Sequence, residues 1–115
     1  MRRIYHLSTC DTCRKILAQL NLQDVELINL REQNISKEDL ATMKKKTKSY
    51  EALFNKRALK LRELPDNKKP NKDLDYKKLI LNEYTFLKRP AAIIDDLVVV
   101  GNDKKSIQAL ISALS

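Results

Sequence analysis

The chain has 115 residues, 43% apolar and 33% charged, enough for one domain with a core of its own. Its formal charge of +8 points to nucleic-acid or membrane partners. Against both, no apolar run approaches the ~18 residues of a membrane-spanning helix, and the 5% of aromatic residues form no stacking platform or helix-turn-helix pattern. A single glycine, Gly101, excludes Gly-rich phosphate loops, and two cysteines spaced CxxC exclude a disulfide-stapled secreted scaffold. Charges and cysteines follow Met1-Arg2-Arg3 where a signal peptide needs its apolar run, so the expected location is cytoplasmic.

In chain order, Arg3–Leu7 reads as a strand and a helix starts near Asp11. Cys13, Ile16, Leu17 and Leu20 recur at helical spacing and predict a buried stripe. Asp24–Leu30 alternates and predicts a second strand, with Val25 and Leu27, and less cleanly Ile28, as its apolar positions. Strand, helix and strand within about 28 residues make a parallel βαβ unit. Ser36-Lys37-Glu38-Asp39 predicts a capping box for a helix running to about Lys46, with Ile35 stapled onto Leu40. Short helical pieces follow at Ser49–Phe54 and Asn55–Arg62. Pro65 and Pro70 bracket a polar loop, and a further helix covers about Lys72–Glu83, with Leu74, Leu79, Ile80 and Leu81 as its apolar contacts. After Pro90, Ala91–Ile94 and Leu97–Val100 form a hairpin around Asp95-Asp96. Gly101 breaks the strand, and Asn102 or Asp103 caps a last helix whose stripe is Ile107, Leu110, Ile111 and Leu114.

The expected fold is therefore α/β. Two half-sheets join into a mixed four-stranded sheet with helices inserted between them, the thioredoxin-like (glutaredoxin-like) arrangement, as one domain over residues 1–115 with a helical insert at about 32–88. Residues 44–72 hold 11 Lys+Arg against 3 Asp+Glu and so carry the whole charge excess; the rest of the chain is balanced. A basic edge of this kind draws anionic substrates or acidic partners, and a solvated lysine-rich face is the plainer reading for most of these lysines.

The chemistry-bearing motif is Cys10-Asp11-Thr12-Cys13. Cys10 stands between a strand and a helix, where unpaired helix N–H groups favour a thiolate, and Arg14 adds a cation one turn on. Cys13, one turn along and turned toward the core, suits a resolving thiol. With His6 the cysteines make two S ligands and one N, one short of a closed zinc site, so no metal is expected. His6 either stabilises the thiolate and relays protons or is a half-buried strand residue with an ordinary hydrogen bond. Pro90 falls where thioredoxin-like folds carry a cis-proline facing the CxxC, a position that puts the Arg89 guanidinium beside Cys10 to hold an oxyanion or carboxylate bidentately, in preference to the plainer reading of Arg89 as a solvated cation.

The chain resembles the arsenate reductase (ArsC) family, which also contains the Spx-type regulators. The resemblance rests on Ile4-Tyr5-His6 leading to Cys10, on Cys10 through Lys15, on Leu53-Phe54-Asn55-Lys56-Arg57 followed by Leu61-Arg62-Glu63-Leu64, and on Phe86-Leu87-Lys88-Arg89-Pro90 with its hairpin. It implies a thiol-dependent reductase in which Cys10 attacks arsenate, Arg57 and Arg89 hold the anion, and His6 precedes the nucleophile. It implies no bound cofactor, with glutathione or glutaredoxin as electron donor and glutaredoxin or thioredoxin as partner. Where the family places a third arginine after the hairpin glycine, this chain has Asn102, a donor without charge. Where glutathione-coupled members typically have serine, it has Cys13, as the Spx-type regulators do. That alternative implies a redox switch binding the RNA polymerase α subunit. Neither reading needs a membrane or direct nucleic-acid binding.

Overall fold

The computed structural model describes residues 1–115 and has two compact units, Met1–Gln33 with Arg89–Ser115, and Asn34–Lys88. In the first unit the chain runs β1 (Arg2–His6), α1 (Asp11–Leu17) and β2 (Glu26–Asn29), and after the second unit returns as β3 (Ala91–Ile94), β4 (Leu97–Val100) and α5 (Lys104–Ala113). The strands lie in the order β2-β1-β3-β4. β1 and β2 are parallel, whereas β1–β3 and β3–β4 are antiparallel. This is the mixed α/β sheet of a thioredoxin-like fold, with the register Ile4↔Leu27, Ile4↔Ala92 and Ala92↔Val99.

The alternation of the strands puts Ile4, Ala92, Ile94 and Val99 on one face, where they pack with Ile16 of α1, with Leu110 of α5 and with Leu114 just past its end. Ile4, Ala92 and Leu110 are fully buried. Leu110→Ala is expected to destabilise the protein by about 2–5 kcal/mol, as lost burial plus the cavity left behind, measured by urea unfolding. Gly101 ends β4 at φ 102°, a left-handed backbone that side chains avoid, and its N–H donates to the Pro90 carbonyl at 2.9 Å. Asp103 rather than Asn102 caps α5, accepting from the Ser106 N–H at 3.3 Å.

Three expectations shift. α1 stops at Leu17, with Gln19 and Leu20 donating to Ile16 and Leu17 in a tighter turn, so Leu20 meets the core from beyond the helix. In β2, Ile28 is buried and Leu27 is 41% exposed, because β2 is an edge strand and the short α1 leaves its rim uncovered. Leu74 is also exposed: it lies six residues, about 240° of helical turn, from the buried Ile80.

The Asn34–Lys88 unit holds α2 (Lys37–Thr47), α3 (Leu59–Glu63) and α4 (Asp73–Asn82), with 3₁₀ turns at Glu51–Leu53, Asp66–Lys68 and Tyr84–Phe86. Ser36 caps α2 by accepting from the Asp39 N–H at 3.0 Å. Asp73, at the start of α4, accepts from the Tyr50 and Glu51 N–H groups at 3.1 and 3.0 Å, and Asn34 donates to the Ile80 carbonyl at the far end. Phe54 stacks on Phe86 and meets Tyr76 edge-on, both at 5.0 Å between ring centres.

Candidate active site

Cys10 is the N-cap of α1. Its backbone is extended (φ −96°, ψ 113°), its N–H donates to the Leu7 carbonyl at 3.0 Å, and its carbonyl accepts the first helical bond from Arg14 at 3.1 Å. The loop that carries it is tied to β2: the Ser8 N–H donates to Asn29 Oδ1 at 3.3 Å, and Asn29 Nδ2 donates to Ser8 Oγ at 2.9 Å. Sequence reasoning passes over this Ser8–Asn29 clasp, because nothing in the spacing of two residues 21 apart marks them as partners.

Both cysteines are free thiols, Cys10 half-buried and Cys13 buried beside Ile16 on the inner face of α1. Partial burial of Cys10 opposes ionisation, but it is outweighed. The Cys13 N–H, the Cys13 thiol donating toward Cys10 Sγ, the Arg89 guanidinium and the Thr12 N–H bring its pKa below the ordinary thiol value. Cys13 goes the other way. Burial dominates and pushes its thiol up to about 11; the Leu7 backbone opposes this, the charge that develops on Cys10 and its hydrogen bond add to it, and Arg89 opposes it least. One thiol is thus poised to attack and the other to hold its proton. Iodoacetamide at pH 7 is expected to alkylate Cys10 and spare Cys13, as read by peptide mass spectrometry after a short exposure.

The Arg89–Pro90 peptide bond is cis, and Arg89 acts on both sulfurs. The cation expected at Cys10 from the sequence, Arg14, is elsewhere: it points outward, 63% exposed, and pairs with Asp11 one turn back on α1. Helical geometry favours that i, i+3 partner over a group at the N-cap. His6, at the end of β1, is half-buried. Burial lowers its pKa and Glu32 only partly offsets this, so the site disfavours the imidazolium that a thiolate would pair with. Asn102 lies exposed in the bend between Gly101 and α5. Arg57 belongs to the other unit, exposed on the turn before α3, with its N–H donating to Asn55 Oδ1 at 3.1 Å. The structure thus brings together Cys10, Cys13 and Arg89, the last joined by a cis bond to Pro90, and leaves Arg14 and Asn102 facing solvent.

A low-pKa thiol at a helix start after a first parallel strand, under the field of an arginine that precedes a cis-proline, fits a thioredoxin-like fold. The ArsC family model matches residues 5–110, and the chain belongs to that family. A solved structure described as YffB (PA3664) protein superposes with a TM-score of 0.79 at 20% identity, covering 96% of this chain and 99% of its own. The solution structure of an arsenate reductase (ArsC) related protein from Brucella melitensis superposes with a TM-score of 0.66 at 26% identity, covering 94% of this chain and 92% of its own. Curated proteins gave no sequence match. No helix is long and apolar enough to cross a membrane.

Proposed function

We propose that this ArsC-family protein is a thiol-dependent oxidoreductase whose Cys10 thiolate attacks an oxyanion, nominally arsenate, with glutathione and glutaredoxin supplying the electrons. The observation that carries this reading is the opposed ionisation of two thiols one helical turn apart, both under the field of Arg89. Cys10 Sγ forms a bond to As(V) as one arsenate oxygen, protonated from solvent, leaves as water. A second thiol then attacks Cys10 Sγ. An S–S bond forms, the S–As bond breaks, and its electron pair stays on arsenic, now As(III). Two thiols have become one disulfide, and glutaredoxin returns Cys10 to the thiol. Arg89, a planar donor fork, holds the anion and spreads the charge of the adduct. The family resemblance assigns Arg57 to the anion as well, a role that Arg57→Ala reads in the same assay.

The test is a coupled assay with reduced protein, arsenate, glutathione and glutaredoxin, following both arsenite and glutathione disulfide. The expected result is arsenite formation that needs all three additions. Glutathione oxidation that is the same with and without arsenate would remove arsenate as substrate.

A further inference from the structure

The Asn34–Lys88 unit contains a concave feature lined by none of Cys10, Cys13 and Arg89. It is an open cleft of about 350 Å³ with an apolar floor of Phe54, Leu61, Pro70 and Tyr76. Lys56, Arg62 and Lys69 form its rim. The floor is held firmly. Phe54 is fully buried, stacked on Phe86 and edge-on to Tyr76, and its backbone bridges to Leu87, while the Asn55 N–H donates to the Phe86 carbonyl at 2.7 Å. The wall is different: α3 buries none of its residues, although it carries both Leu61 and Arg62.

The rim carries the sign of the whole molecule. All of it lies in residues 44–72, the stretch that contains the +8 excess. Arg62 has no ion-pair partner. Lys56 pairs with Glu51 at 2.5 Å and Lys69 with Asp66 at 3.9 Å, both on the surface, where such pairs are weak and readily exchanged for a carboxylate from another chain.

We propose that this cleft docks an acidic peptide segment of a partner protein, which seats an apolar side chain on the partly exposed Leu61, Pro70 and Tyr76, above the buried Phe54, and sets its carboxylates against Lys56, Arg62 and Lys69. Charge complementarity selects the acidic flanks, and the apolar floor selects the anchor. A nucleic acid fits the charge but not the floor. Single-strand binding stacks successive bases on several rings, and here Phe54 is fully buried and Tyr76 alone is partly exposed.

The probe is a capped octapeptide of Glu and Asp around a central Leu-Phe pair, titrated into the ¹⁵N-labelled full chain and followed by NMR shifts and fluorescence anisotropy. The expected result is shifts concentrated in residues 54–76. Affinity should fall about tenfold or more in Arg62→Glu/Lys69→Glu and recover in Arg62→Lys/Lys69→Arg, with the Cys10 alkylation rate unchanged throughout. Four controls decide the matter. Equal binding by a Lys-flanked version of the peptide would overturn the proposal, as would equal binding by an acidic peptide lacking the Leu-Phe anchor. So would shifts centred outside residues 54–76, or displacement of the octapeptide by a single-stranded oligonucleotide of equal charge. Circular dichroism of the charge-reversal variant separates lost binding from lost fold, and Leu61→Ser provides a second, uncharged route to the same loss.

Discussion

Cys10→Ser is expected to lower arsenate-dependent glutathione oxidation by about 10³-fold or more, because a serine hydroxyl is not ionised at neutral pH and forms no disulfide. Cys13→Ser is expected to behave differently, keeping activity within about threefold when glutathione is abundant. With its pKa pushed up to about 11, the Cys13 thiol is ionised at about one part in 10⁴ at pH 7, too rarely to compete with an external thiol for Cys10. A serine hydroxyl at that position still donates toward Cys10 Sγ, so the support for the nucleophile is largely kept. Activity of both variants in the same coupled assay checks the pair. If Cys13→Ser falls as far as Cys10→Ser, resolution runs through an internal Cys10–Cys13 disulfide instead. The field on Cys13 allows for that route, since a covalent adduct on Cys10 removes the negative charge that helps raise the Cys13 pKa.

The sequence makes some of this site legible and hides the rest, for physical reasons. The start of α1 at Asp11, with Cys10 just before it, follows from local pattern, since the stripe Cys13, Ile16 and Leu17 leaves one reading of where the helix begins and which cysteine faces inward. Arg89 and Pro90 come into view only through the fold, because the loop before β3 is nearly 80 residues from Cys10 and meets it only once β1 and β3 pair. Local reasoning fails where two partners compete for one side chain. Arg14 lies within a turn of Cys10 in sequence, but Asp11 is the nearer acid on the helix surface and takes it. Edge effects are hidden in the same way. The alternation in β2 places Leu27 inward by parity, and only the strand order shows that no element covers that position. The cleft of the second unit has no sequence signature at all: its floor is gathered from Phe54, Leu61, Pro70 and Tyr76, which follow no single period.

Arg89→Ala is expected to reduce kcat/KM for arsenate by about 10²–10³-fold, through two effects that can be measured separately. The first is on the nucleophile. Arg89 lowers the Cys10 pKa, so removing it raises that pKa, cuts the thiolate fraction at pH 7 and moves the rising limb of the pH–rate profile to higher pH. Thiolate absorbance at 240 nm, titrated in Cys13→Ser to isolate one sulfur, reads this shift directly. The second effect is on the anion, which loses a bidentate donor, and it is absent for an uncharged electrophile. Iodoacetamide alkylation therefore carries the first effect alone, whereas arsenate turnover carries both. Arg89→Lys should restore the thiol titration and the alkylation rate, because it keeps the charge, but recover only part of the arsenate activity, because an ammonium lacks the planar fork. If arsenate turnover and alkylation fall by the same factor in Arg89→Ala, the guanidinium acts only through the thiol, and the anion is held by other groups.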